Sequence, residues 1–576
     1  MGYKDVYREW MEDPYFDAAT KEELAAISQD EKEIEDRFYT SLAFGTGGLR
    51  GVIGAGTNRM NIYTVRKATQ GLANYIISQG KTAQGAVIAH DSRNFSTEFA
   101  IEAACCLAAN GIKAYVFESL RPTPVLSFAV RHLGCAAGIN ITASHNPPEY
   151  NGYKVYWEDG AQITPPHDAG ILAEVAAITD FAAVKTMRVD DAVKEGLFTW
   201  IGKEVDDSYD TEVKKQIKRQ DCIDAVGKEL KIVYTPLHGT GNLPVRRILR
   251  DIGFENVFVV PEQELPDGNF PTVSYPNPES KEAFAMALRL AAEKDADLVL
   301  ANDPDADRLG VYAKDSKTGE YKCFTGNMSG SLLADYELGR WRERGGLPED
   351  GVLIKTIVTT NLVDAICGKY GVEEKEVLTG FKYIGEQIKF MEEAGKGTYL
   401  FGFEESYGCL IGTYARDKDA VVASVALCEA AAYYKTQGKT LWDAMLDLYE
   451  EFGYYEDGMF SITLKGIDGK EKIAKIMDSL RNDPPSKIAS YTVESIRDYR
   501  SHVITDCRTG AVTSTGLPTS NVIYFDMDNN GWCCARPSGT EPKIKFYYGV
   551  KGTSLEDAAA QSRAVGDALR TMLDSI

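Results

Sequence analysis

A chain of 576 residues exceeds one ordinary hydrophobic core, and at ~100–200 residues per domain it holds about three to five domains. Its composition, 44% hydrophobic and 26% charged, is that of a globular protein and argues against a disordered one. With 63 Lys and Arg against 85 Asp and Glu, a formal charge of −22, the surface repels nucleic acid and anionic lipid, while a locally basic pocket can still take a small anionic substrate.

The first forty residues, rich in Glu, Lys and Ala with spaced aromatics, read as helical, and they lack the basic start and apolar run of a secretory signal. Strands and helices then alternate: AVIAH (86–90), a helix over 99–111, KAYVF (113–117), and GINIT (138–142) ending in a polar loop. The rhythm restarts at ELKIVYTP (229–236) and again at GVLIKTIV (351–358). Short buried strands alternating with helices predict mostly parallel sheets covered on both faces. The last hundred or so residues differ, because FSITLKG, VIYFDMD, GWCCARPSG and KIKFYYGV pair more naturally as an antiparallel sheet with a closing helix from about Ser554. The expected architecture is α/β, with three similar mixed-sheet domains (1–207, 208–321, 322–453) and a C-terminal α+β domain (454–576). Seams are expected near Val205–Asp210, in the turn-rich stretch 314–322 and near Tyr454.

The 11 cysteines are scattered without CxxC spacing and read as buried small hydrophobes in a reducing compartment. No stretch approaches the ~20 apolar residues that span a bilayer, and a soluble, cytoplasmic protein is expected.

Five segments can carry chemistry. In ITASHNPPEYNGYKVYW (141–157), Ser144 follows a strand on a loop stiffened by Pro147 and Pro148. There its hydroxyl can act as a nucleophile, with His145 to orient phosphate and Lys154 folding back over it; a polar loop with an Asx turn at Asn146 is the plainer alternative. In ANDPDADRLGV (301–311), Asp303, Asp305 and Asp307 alternate after a hydrophobic strand. This spacing can surround a hard cation such as Mg²⁺, with Arg308 as the competing neutraliser; a solvated acidic turn is the alternative. No EF-hand follows, since the loop lacks its glycine and its glutamate. Glu404, Glu405 and Ser406 of GFEESYG (402–408) can bind vicinal sugar hydroxyls or equally cap a helix. Arg536, Ser538, Gly539 and Thr540 of CARPSGTEPKIKFY form a donor-rich turn suited to a phosphate dianion, or simply a hairpin. FGTGGLRG (44–51) carries Arg50 but is no Walker A motif, and no Rossmann fingerprint is evident.

The first four of these segments closely resemble, in order, the four signature loops of the α-D-phosphohexomutase superfamily: phosphoserine loop, metal loop, sugar loop and phosphate loop. The resemblance implies four domains around a central active-site cleft, with Ser144 as the phosphorylated residue. It implies Mg²⁺ held by Asp303, Asp305, Asp307 and the Ser144 phosphate, with Arg50, His145 and Lys154 near the transferring group. Glu404 and Ser406 would bind the sugar, with Thr379, Gly380, Lys382 and Arg308 close to substrate, and Arg536, Ser538, Gly539 and Thr540 would hold the second phosphate. Bacterial phosphomannomutase/phosphoglucomutases commonly carry histidine where this chain has Gly408. Instead ARDKDA (415–420) resembles the phosphoglucomutase branch, which points to Lys418 in the acid–base step. A lysine acts as base only if its pKa falls well below the usual ~10.4.

The implied activity is a mutase interconverting glucose 1-phosphate and glucose 6-phosphate through a phosphoserine enzyme and glucose 1,6-bisphosphate, as a monomer or homodimer. Mannose and pentose phosphates are the alternatives within the class, and a metal-dependent sugar-phosphate phosphatase is the alternative outside it.

Overall fold

The computed structural model describes residues 2–574 apart from Thr46, Lys465 and 539–542. Three helices, Tyr3–Glu12, Ala18–Ala26 and Glu31–Phe38, open the chain. They close on an aromatic knot in which Trp10 stacks on Phe16, centroids 4.2 Å apart, and meets Phe38 and Tyr63 edge-on. Tyr63 belongs to the helix Ile62–Ser78, so the knot pins this extension to the first α/β layer.

The first sheet contains β1 (Gly48–Val52), β2 (Ala86–His90), β3 (Ala114–Phe117), β4 (Ala137–Ile141), β5 (Tyr150–Trp157) and β6 (Phe198–Ile201), in spatial order β1-β5-β4-β2-β3-β6. The second contains β7 (Lys231–Thr235), β8 (Asn256–Val259), β9 (Leu298–Asn302), β10 (Leu309–Lys314) and β11 (Tyr321–Phe324), in order β11-β10-β9-β7-β8. The third contains β12 (Gly351–Thr356), β13 (Glu373–Val377), β14 (Thr398–Glu404) and β15 (Gly408–Leu410), in order β13-β12-β14-β15.

One plan recurs in all three. A buried parallel strand (β4, β9 or β14) runs into a polar loop, and the next strand (β5, β10 or β15) returns antiparallel beside it. The sheets are therefore less parallel than the sequence pattern predicted, because each functional loop is also a tight reversal. That reversal sets Lys154 opposite Asn140 and Gly408 opposite Glu404. Loops at the carboxyl ends of parallel strands are the usual ligand sites of such sheets. The stretch 314–322 is the hairpin joining β10 to β11, and Val205–Asp210 lies inside the helix Lys203–Lys214.

The fourth domain is antiparallel: β16 (Tyr454–Thr463), β17 (Lys487–Ile488), β18 (Tyr491–Asp498), β19 (Val503–Asp506), β20 (Val512–Ser514), β21 (Ile523–Met527), β22 (Trp532–Pro537) and β23 (Lys543–Gly552). The helices Gly466–Asn482 and Leu555–Asp574 accompany the sheet; the first of these, and β17–β20, were not among the elements expected from the sequence.

Burial divides the molecule unevenly. One continuous core runs through the first three domains and includes the helices Thr123–His132, Asn242–Ile252, Gly326–Glu343 and Ala420–Lys435. Ala420–Lys435 is buried along nearly its whole length, as expected for a helix that is apolar all round. The fourth domain has its own core around Phe460, Ile476, Phe525 and Phe546. It meets the third domain through a smaller cluster that includes Val358, Leu378, Tyr524 and Trp532.

Candidate active site

Ser144 sits just past β4 with φ of 53°, a left-handed conformation that a residue bearing a Cβ adopts only when its surroundings impose it. Those surroundings are specific. The Ser144 amide donates to Thr142 Oγ1 at 2.8 Å, and Thr142 Oγ1 donates to Asp91 Oδ2 at 2.7 Å. Asp91 also accepts from Ser96 Oγ at 2.9 Å and lies 3.3 Å from Arg93 Nε. Arg93 is 3% exposed and donates to the carbonyls of Ser144, Asn146, Pro147 and Tyr150. The outcome is a buried hydroxyl that donates to Asp303 Oδ2 at 2.8 Å and lies 3.1 Å from His145 Nδ1. Burial first, then the Arg308 and Arg50 charges, hold His145 well below its ordinary pKa and therefore neutral. Arg50, on β1, reaches the same loop through Asn146 Oδ1 at 3.3 Å.

The metal loop is gripped from three sides. Asp303 Oδ1 accepts from the amides of Asp307 and Arg308, and Ala306 takes φ of 48° to fold the turn. Thr123, at the start of its helix in the first domain, donates its amide to Asp305 O at 2.8 Å and its hydroxyl to Asp305 Oδ2 at 3.0 Å. From the third domain, Tyr407 O accepts from the Leu309 amide, and the Ala420 amide donates to Ala306 O. Each of Asp303, Asp305 and Asp307 offers an oxygen within 4.8 Å of the others, and all three are buried. Asp305 Oδ1 and Asp307 Oδ1 are buried without a hydrogen-bond partner. Burial and then Asp305 and Asp307 push the Asp303 carboxyl well above the ordinary range. Crowded carboxylates with orphaned oxygens are the donor set a hard divalent cation needs, so the residues fit Mg²⁺. Arg308 turns aside to Glu279 Oε1 at 2.6 Å, and its Nε stays 3.9 Å from Asp307.

Both lysines reach this loop. Lys154 Nζ lies 2.8 Å from Asp305 Oδ2 and 3.7 Å from Asp307 Oδ2. Lys418 Nζ lies 3.2 Å from Asp307 Oδ2 and 3.0 Å from Asp417 Oδ1, and Asp417 is itself fixed by Tyr156 Oη at 2.8 Å. Burial opposes both charges, but the aspartates outweigh it and both pKa values lie above the ordinary lysine value. With the carboxylates this close and no cation neutralising them, both amines are held as ammonium groups. A Cβ on Gly408 would stand 2.1 Å from Lys418 Cδ, so the missing side chain at 408 is the space Lys418 occupies.

The sugar loop is a hairpin between β14 and β15, not a helix cap. Glu404 is 5% exposed and accepts the Gly380 amide at 3.1 Å, which ties it to the segment of Thr379, Gly380 and Lys382. Thr379 Oγ1 is buried without a partner, and burial lowers the Lys382 pKa. Burial and Glu404 push Glu405 up to about 7, and Ser406 beside it is half-buried.

In the fourth domain Arg536 (β22) stands directly opposite Lys545 (β23), with Lys543 two residues away. Like charges facing each other across a ladder are destabilising. Burial, then Arg536 and Lys543, depress the Lys545 amine. Ser538 donates its amide to Lys543 O at 2.7 Å, while Gly539 and Thr540 lie outside the described residues. Lys545 also bears on Glu405, so this cationic cluster faces the sugar loop.

Sequence reasoning missed Asp91 and Arg93, although HDSRN directly after a buried strand is the available signal. It also missed Thr123, which nothing local marks, and Lys545, which the KIK alternation after the phosphate loop would have supplied.

Three family descriptions match the chain: phosphoglucomutase/phosphomannomutase α/β/α domain I over residues 41–181, domain II over 207–318 and domain III over 325–452. A phosphoglucomutase of Staphylococcus aureus (strain bovine RF122 / ET3-1) is 39% identical over 539 residues, covering 92% of this chain and 94% of that one. One from Staphylococcus saprophyticus is 37% identical over 540 residues, covering 93% and 95%. Among solved structures, a putative phosphomannomutase from Thermus thermophilus superposes with a TM-score of 0.68 at 23% identity, covering 93% of this chain and 99% of that one. The open form of parafusin, a phosphoglucomutase from Paramecium, gives 0.66 at 17% identity, covering 92% and 96%. The chain belongs to the phosphoglucomutase/phosphomannomutase family of the α-D-phosphohexomutase superfamily.

Proposed function

We propose that the protein interconverts glucose 1-phosphate and glucose 6-phosphate through a phosphorylated Ser144 and a glucose 1,6-bisphosphate intermediate, as a cytoplasmic monomer or homodimer. The observation that carries this reading is the hydrogen bond from Ser144 Oγ to Asp303 Oδ2, which puts a strained, buried hydroxyl on a carboxylate triad. The likeness to phosphoglucomutases over nearly the whole chain supports the choice of glucose.

In this reading Asp303, Asp305, Asp307 and a Ser144 phosphate oxygen would hold Mg²⁺, which would supply charge neutralisation to the transferring group. The phosphoryl group leaves Ser144 Oγ for the free hydroxyl of the sugar, so one O–P bond breaks as another forms. The sugar hydroxyl loses a proton and Ser144 Oγ regains one, with Lys154 or Lys418 carrying it. Starting as ammonium groups, these lysines first protonate the leaving serine oxygen, and the amine so formed is then the base. Arg50 and His145 steady the transferring oxygens. Glu404 and Ser406 read the hydroxyls, with Thr379, Gly380, Lys382 and Arg308 around them, while Arg536, Ser538, Gly539 and Thr540 hold the second phosphate. The bisphosphate then turns over and offers its other phosphate to Ser144.

A coupled assay for glucose 6-phosphate, run with Mg²⁺, trace glucose 1,6-bisphosphate and glucose 1-phosphate, tests it. Rapid conversion is expected, slower with mannose 1-phosphate or ribose 1-phosphate. Preference for either of those esters would reassign the sugar, and phosphate release without isomerisation would refute the mutase.

A further inference from the structure

The serine loop needs an agent that keeps it strained, and the structure identifies one outside the four motif loops. Arg93 lies beyond the end of β2, fully inside the protein, and its guanidinium spends its donors on backbone carbonyls. Nη2 donates to Ser144 O at 2.6 Å and to Asn146 O, while Nη1 donates to Pro147 O at 2.8 Å and Tyr150 O at 3.0 Å. These four residues bracket the whole turn between β4 and β5. A planar fork of fixed donors can gather four carbonyls at once; a lysine, with one mobile ammonium, cannot.

The orientation of Arg93 is itself fixed. Asp91 Oδ1 accepts the Arg93 amide at 2.9 Å, and Asp91 Oδ2 lies against Nε. From the second domain, the Phe270 ring packs on the guanidinium at 5.0 Å, and Asn269 Oδ1 accepts from Asn94 Nδ2 at 3.0 Å. Asp91 also holds Thr142, whose hydroxyl oxygen accepts the Ser144 amide. Ser144 is thus clamped from both sides of its peptide unit, at the amide through Thr142 and at the carbonyl through Arg93. Without these bonds its φ of 53° relaxes toward the common negative region and its Oγ turns off Asp303.

We propose that Arg93, with Asp91 and Thr142, is a positioning element for the nucleophile. Its donors go to backbone carbonyls of the loop and its charge to Asp91, so Arg93 acts by aiming Ser144 Oγ. The proposal rests on Ser144 being the phosphorylated residue, and the experiment separates the two.

Arg93→Lys, Arg93→Met and the near-isosteric Thr142→Val would be compared with the unaltered protein and with Ser144→Ala. Each would be mixed in a single turnover with glucose 1,6-bisphosphate and Mg²⁺, with phosphoserine at position 144 read by mass spectrometry. Misaiming of a reacting atom by about 1 Å costs on the order of 100-fold in rate. The expected result is phosphorylation slowed by that factor in both Arg93 variants and less in Thr142→Val. The KM for sugar phosphate should change little, while the Arg93 variants should melt lower because Asp91 and the loop carbonyls lose their buried partner, so rates are compared at a temperature where each variant is folded. Arg93→Met should recover in part on adding guanidinium ion below denaturing concentrations. Phosphorylation within threefold of the unaltered rate in a folded Arg93 variant would overturn the proposal. So would loss of rate that follows loss of fold, with Thr142→Val unaffected. Ser144→Ala that still isomerises would instead overturn the reading of Ser144 itself.

Discussion

The first three domains and the fourth solve opposite electrostatic problems with opposite mechanics. Around residues 303–307 three buried carboxylates crowd together, and the loop that carries them is bonded to the first and third domains. Around Arg536 three cations crowd together, on strands of a domain that has its own core. The first region calls for a cation and stands on a core shared by three domains; the second calls for an anion and rests on a smaller contact with the third. In the proposed mechanism this contrast is what would let a bisphosphate turn over without being lost. Chemistry needs a floor that does not move, while recapturing a phosphate in either orientation needs a clamp that can.

That comparison can be broken at several points. The largest effect is expected on the carboxylate side. Mg²⁺ at a hundred times its Kd should stabilise the protein against unfolding by about 2.7 kcal/mol. Asp303→Asn should abolish both that gain, read by calorimetry, and the mutase activity; a Mg²⁺ shift that survives in the variant would place the cation elsewhere. Next is Gly408→Ala. The new methyl must evict a flexible Lys418 side chain rather than backbone, so the fold should survive while kcat falls on the order of 100-fold. Unchanged kcat would remove Lys418 from the proton transfer.

On the cationic side, Arg536→Ala should raise KM for sugar phosphate by about 10- to 100-fold, the loss of a charge-assisted contact, and leave Ser144 phosphorylation by excess bisphosphate intact. The seam between the third and fourth domains supplies a smaller, pH-dependent effect. Burial pushes Asp457 on β16 up to about 7, with Glu456 adding to the rise and Thr360, Lys355 and Asn327 opposing it. Its ordinary value is 3.8, so the folded chain holds the proton more tightly than the unfolded one. Stability from this group therefore declines as pH rises from about 4 to 7 and is level above that. Protection factors in β16, which divide out the intrinsic rise of amide exchange with pH, should fall over the same window, and Asp457→Asn should flatten that fall; an unchanged profile in the variant would assign the pH dependence to another group.

Much of this was legible in the sequence for one physical reason. Side chains that converge on one cleft come from the loops at strand ends, so Ser144, the aspartates, the glutamates and Arg536 fall in short contiguous stretches beside apolar runs. The α/β class followed from the same alternation. What joins those loops was not legible. Ser144 to Asp303, Thr123 to Asp305 and Tyr156 to Asp417 are bonds across more than a hundred residues, which no local pattern encodes. The contacts of Lys154 and Lys418 were hidden for the same reason: the aspartates they meet lie more than a hundred residues away for Lys154 and Lys418 alike, at Asp305 and Asp307. In the fourth domain the helix Gly466–Asn482 was missed because nothing near it signals chemistry and the strand pattern dominates its surroundings.

The central claim is that phosphate passes through Ser144, and a pulse-chase tests it most directly. The protein would be charged with radiolabelled glucose 1,6-bisphosphate and Mg²⁺, digested to locate the label, and in parallel chased with unlabelled glucose 1-phosphate. The account predicts label on the peptide containing Ser144 and its transfer during the chase into glucose bisphosphate and glucose 6-phosphate. Label found on another residue, or released as inorganic phosphate at the same rate without sugar, would contradict it.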